Sequence, residues 1–128
     1  MKKDIQNRDD LMQLVTLFYE KLLADKDMVP IFIDVAKIDL DEHLPVLVDF
    51  WDSILFFTAT YKRNAMTPHL ILHDKYPLTQ LHFDKWLAFF NQSVDELFAG
   101  EKAQLAKDRA KSIAMLMQMK TENMNLAK

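Results

Sequence analysis

Apolar residues recur along this chain at spacings of three and four, the period of a helix with one buried face. In the first run Leu11, Leu14, Val15, Phe18 and Leu22 align, with Tyr19 on the edge of the stripe, and predict a helix over about Asp9–Lys26. Pro30 bounds it, because proline lacks an amide donor and clashes with the preceding turn. Ile31, Phe32 and Ile33 follow as a short apolar plug. A second stripe (Leu40, Leu44, Leu47, Phe50, Trp51, Ile54, Leu55) predicts a helix from Asp39 to near Tyr61, with His43 pointing inward or to its rim. Asp39 and Glu42 have the capping-box spacing, Asp41 suits the positive end of the helix dipole, and Lys62 and Arg63 suit the negative end. Residues 64–77 hold Pro68, Pro77, His69 and His73 and predict a loop with one short helix around His69. Thr79 is placed to cap a third helix whose stripe is Phe83, Trp86, Phe90, Val94 and Leu97, and Gly100 is placed to close it in a left-handed conformation. The last helix, about Glu101–Lys120, carries Ala103, Ala106, Ala110, Ile113, Ala114 and Met117 on one face, small enough to pack closely on the third. The tail after Thr121 is expected to fray.

Composition narrows the class. The 128 residues suit a single domain, 1–128 with a core of about 5–120, and half of them are apolar. With Gly100 as the one glycine, the chain builds neither a phosphate-cradling loop nor a dinucleotide fingerprint, and Asn-Gly hairpins are absent. The fold class expected is therefore all-α. Lack of cysteine removes disulfides, thiolate catalysis, iron–sulfur clusters and zinc fingers. A net charge of −3 is a poor footprint for nucleic acid. No apolar run approaches the roughly 18 residues of a membrane span, and the N-terminal MKKDIQNRDD lacks the apolar stretch of a signal peptide. A cytoplasmic protein with neither nucleic-acid nor membrane partner is expected.

Candidate chemistry is sparse, and no nucleophile has an obvious base beside it. His69 and His73, four apart, share one helical face and suit a divalent metal, with Asp74 as a third ligand; Leu70, however, stands where the two-histidine protease motif carries Glu. Read plainly, Tyr19 is a core-edge residue, Trp86 and the phenylalanines are core, and His73 and His82 lie on the surface. That reading describes a cofactor-free helical interaction module.

Taken in order, Phe18-Tyr19, His43, Phe50-Trp51, Met66-Thr67-Pro68-His69 and Phe83-Asp84-Lys85-Trp86-Leu87 form a more specific set. Their order and approximate spacing resemble the group III truncated haemoglobins over nearly the whole chain, about Ile5 to Lys120. The resemblance implies a shortened globin, a two-over-two helical sandwich holding haem b. It implies His69 as the ligand to iron, Tyr19 and Trp86 as polar aromatics on the opposite, distal side, and His43 on the distal helix, where it gates the pocket or binds iron itself. Phe18, Phe32, Phe50 and Trp51 match apolar positions of the pocket. His73 stays open as an alternative ligand, because the segment from His69 to Trp86 is a few residues longer than in many members; Ala65 stands where a proline is expected. Lys62, Arg63 and Lys75 are candidates to meet the haem propionates. The function implied is binding of O2, NO or CO at a five-coordinate iron. Turnover of NO or peroxide is left open, as is the identity of a reductase, and a monomer or weak dimer is expected. The residue types suit that chemistry: an apolar disc needs apolar walls, iron needs one neutral imidazole, and a bound gas that gains negative charge is held by donors such as a Tyr hydroxyl or Trp indole N–H.

Overall fold

The computed structural model describes residues 2–32, 39–58 and 78–127, the side chains of 123–127 excepted. Among the described residues are four helices and no strand: α1 (Arg8–Ala24), α2 (Leu40–Phe56), α3 (Gln80–Leu97) and α4 (Glu101–Ala127). None is long and apolar enough to cross a membrane. His69, His73, Asp74, Lys62, Arg63 and Lys75 lie outside the described residues.

Each helix begins where a side chain can satisfy orphan amides. Asn7 accepts from the Asp10 amide at 2.9 Å, and Asp39 from the Asp41 amide at 3.0 Å. The ends differ from the expected ones. α1 stops at Ala24, short of Pro30, because the Asp25 carboxylate turns the chain by accepting the amides of Asp27 and Met28. α2 stops at Phe56 rather than near Tyr61. Phe57 takes a left-handed φ of 56° and stands 80% exposed, while the Lys102 ammonium donates to the Leu55 carbonyl at 2.6 Å. A cation from α4 thus meets that helix end. α4 continues to Ala127 rather than ending at Lys120, since residues 121–127 contain no proline or glycine to break it.

Gly100 has a different task from the one expected. α3 ends at Leu97 with extended Phe98 as its cap, and Gly100, at φ 146°, precedes α4. There the Asp4 side chain accepts the amides of Lys102 (2.9 Å) and Ala103 (2.8 Å), and a Cβ on Gly100 would meet Asp4 Cγ at 2.5 Å. A residue far away in sequence therefore caps α4, and glycine leaves room for it.

α3 and α4 make the most extensive helix contact, along Ala103, Ala106, Ala110 and Ala114, all buried; α1 packs on both α2 and α3, and α2 meets α4 more lightly. α2 has two apolar faces. Val48, Trp51 and Leu55 are buried, while Leu44, Leu47, Phe50 and Ile54 are only partly covered. Asp52, buried on α2, is held by Arg8 of α1 at 3.3 Å and by the Thr58 hydroxyl at 2.9 Å. Phe90 fills the centre: it stacks on Trp51 with centroids 4.7 Å apart and meets Phe18 edge-on at 5.3 Å.

Candidate functional site

The stripe of α1 delivers Phe18 and Tyr19 inward on adjacent positions, Phe18 toward α3 and Tyr19 toward α2. Tyr19 is 6% exposed, and its ring meets Phe32 edge-on at 5.4 Å and His43 at 5.3 Å. Its hydroxyl oxygen lies 2.7 Å from His43 Nε2, so the first turn of α2 reaches α1 through one hydrogen bond. Burial pushes the phenol above its ordinary value, and the group stays protonated. One proton serves this pair's bond. If Tyr19 donates it, His43 Nε2 is the acceptor; if Nε2 carries the ring proton, it donates to Tyr19 and leaves the phenolic proton for a third partner.

α3 carries Trp86. Its ring lies nearly parallel to Phe90 (6.0 Å, 11°) and edge-on to Phe18 at 5.7 Å. Tyr19 and Trp86 both line a cavity of about 80 Å³, whose mouth is partly open, together with Phe32, Phe83 and Met117. The walls are apolar with few polar handles, as the walls of small-molecule sites are. A second hollow lies between α2 and α4, lined by Phe50, Ile54, Ile113 and Leu116 among others.

Of the residues singled out from sequence, the structure brings Tyr19 and His43 into contact and sets Tyr19, Phe32 and Trp86 around one cavity. Phe18 packs behind it. Phe50 lines the second hollow, and Trp51 is core, stacked on Phe90. His69 and His73 lie outside the described residues, so no ligand to a metal is placed; among the described residues no group of three metal-binding side chains gathers. The walls and donors present suit haem in kind: apolar surfaces for a flat macrocycle, and a phenol and an indole for what binds on it.

One site residue escaped the sequence reading. His82, expected on the surface, is half-buried and lines the cavity with Tyr19 and Trp86. Its Nδ1 accepts the Thr79 amide at 2.9 Å, closing a reciprocal capping box at the start of α3. The Thr-x-x-His spacing was visible, but a capping box is sought with Glu or Gln at the fourth position. Lys85, one turn on, bonds to Asp25 (2.9 Å) and Asp27 (2.6 Å) and ties α3 to the segment after α1.

Comparison with known proteins shows the family and the fold. A family model of bacterial-like globins matches residues 4–124. A group 3 truncated haemoglobin, ctb, of Campylobacter jejuni is 31% identical over 117 residues, covering 89% of this chain and 90% of that protein. The crystal structure of a group III truncated haemoglobin from Campylobacter jejuni superposes with a TM-score of 0.83 at 29% identity, over 94% of this chain and 95% of that one.

Proposed function

Because the chain belongs to the bacterial-like globins, among the group III truncated haemoglobins, we propose that it holds haem b with His69 on one face of the ring and retains a diatomic gas (O2, NO or CO) on the face of Tyr19, His43 and Trp86. Globins as a family bind gases through haem; the ring type, the ligating residue and the donors are this chain's own particulars. When bound, haem supplies an iron with a coordination position open to a small ligand.

The observation that carries the reading is the meeting of a buried, protonated phenol and an indole on one apolar cavity. A gas that gains negative charge at its outer atom is held by donors aimed there, and apolar walls strengthen each such bond. Tyr19 donates to the gas when His43 Nε2 holds its own proton and donates to the Tyr19 oxygen. His43 then orients the phenolic proton instead of competing for it. Trp86, braced by Phe90 and Phe18, adds an N–H whose direction the stack limits. Retention of ligand is the role these residues support, ahead of dedicated turnover: burial keeps the phenol from ionising, and His43 is engaged with it.

The test is direct. The protein is expressed with haem supply, purified, and its visible spectrum recorded reduced, oxidised and with carbon monoxide. An intense porphyrin band that shifts with each treatment is expected, and its loss in His69→Gly with retention in His73→Ala assigns the ligand. A colourless protein, or one that takes up haem equally well without His69, overturns the proposal.

A further inference from the structure

We infer that His82 is a positioning residue for the gas cavity: neutral, its ring closes the turn that begins α3 and holds Trp86 in place; protonated, it releases that turn, so gas is retained less well in mild acid. The inference rests on the proposed function for its kinetic consequence, but not for the state of the ring.

The geometry decides the tautomer. A backbone amide can only donate, and the Thr79 amide points at His82 Nδ1 over 2.9 Å, with the Thr79 hydroxyl 3.1 Å from the same atom. Nδ1 must therefore present a lone pair, and the proton of the neutral ring sits on Nε2. Protonation places a hydrogen on Nδ1 facing another hydrogen. The bond is lost, and a positive charge arises at the positive end of the α3 dipole. The usual capping-box partners, Glu and Gln, do not lose their acceptor in this way near neutrality.

Among the described residues, the charges around the ring do not restore its affinity for the proton. Asp27 attracts a charged imidazole, but its carboxylate is also bonded to Lys85, which stands three residues after His82 on α3 and repels it. Tyr19 from α1 and Ala114 and Met117 from α4, which share the cavity, bring no charge. Burial, opposed by Asp27 and aided by Lys85, holds the ring below the ordinary 6.5. A histidine with a lowered folded value stabilises the fold fully above 6.5, and that contribution is lost as pH falls through the folded value. The first turn of α3 thus weakens below about 6.5.

The link to the cavity is one helical turn. His82 and Trp86 are four apart, on one face of α3, and both line the cavity. Losing a cap frays the first turn, on which the turn that carries Trp86 rests.

Three versions of the haem-loaded protein test this: native, His82→Gln and His82→Leu. Nitrogen NMR of the reduced, carbon monoxide-saturated protein reads the His82 tautomer and its titration, and stopped-flow displacement reads gas release from about pH 5 to 8. The native protein is expected to show Nδ1 unprotonated at neutral pH and release roughly threefold to tenfold faster at pH 5, the loss of one cap. Gln keeps an acceptor that does not titrate, so it restores the native rate at neutral pH and flattens the acid rise. Leu releases fast at every pH. An acid rise that survives in His82→Gln, or a proton on Nδ1 at neutral pH, overturns the inference. Should the protein take up no haem, the proposed function fails, whereas the tautomer is still read by NMR.

Discussion

Replacing Tyr19 with phenylalanine deletes one oxygen from a ring that is 6% exposed and leaves its edge contacts with Phe18 and Phe32 in place. Two quantities should then part company. Fold stability should change by less than about 1 kcal/mol, because the lost hydrogen bond to His43 is offset by no longer burying a hydroxyl, and half-buried His43 can turn to water. Gas retention should suffer more. A neutral donor is worth about 0.5–1.5 kcal/mol, so release should quicken roughly two- to thirteenfold. Displacement of O2 by excess carbon monoxide in a stopped-flow instrument reads the rate, and urea unfolding reads the stability. His43→Leu should also quicken release, by less, since on this mechanism it acts only by orienting the phenol. The double variant should then release no faster than Tyr19→Phe alone, a departure from additivity that measures the coupling. An unchanged rate in Tyr19→Phe, or effects of the two substitutions that simply add, would refute the proton arrangement derived from the 2.7 Å contact.

Other outcomes follow from the packing. Phe90→Ala removes the ring between Trp51 and Trp86 and should cost about 3–5 kcal/mol, seen as a lowered Tm by circular dichroism together with altered tryptophan fluorescence. Gly100→Ala strains a positive φ and displaces Asp4, so a loss of about 1–3 kcal/mol is expected; a stability equal to native would contradict the close approach. Asp4, Asp10 and Asp25 resist burial through amide and lysine hydrogen bonds, which hold each carboxyl below 3.8. Their contribution is complete above that value and lost as pH falls below it, so the urea midpoint should drop steeply there, and less steeply in Asp10→Asn.

Much of the helical plan was legible because it rests on periodicity. The alanine face of α4, the α1 stripe and the caps at Asp39 and Thr79 are local patterns that packing had no reason to override. Helix ends were less legible, since what stops them comes from elsewhere: Lys102 reaches the Leu55 carbonyl, and Asp4 occupies the start of α4. The width of the α2 stripe hid two faces, one for α1 and one for the hollow toward α4. For the candidate site, the order of aromatics along the chain pointed to Tyr19, His43 and Trp86. The contact of Tyr19 with His43 and the cavity it shares with Trp86 could not be read from spacing, because they join residues on different helices. His82 was overlooked for a chemical reason: its capping role uses a ring nitrogen in a place where carboxylates and amides are expected. Pro45 was passed over as well; it sits inside α2 and denies the Asp41 carbonyl its partner one turn on, a loss the helix tolerates.

The first few residues work as a clasp. Lys3 offers its carbonyl to the Ala99 amide, Lys2 bonds to the Asp95 carbonyl, Ile5 is sealed into the core, and Asp4 sits on the opening amides of α4. The beginning of the chain is thus sewn to the corner between its last two helices. Trimming past Asp4, or an affinity tag that pulls on it, would be felt at that distant corner, and from there along the alanine seam that keeps the cavity wall upright.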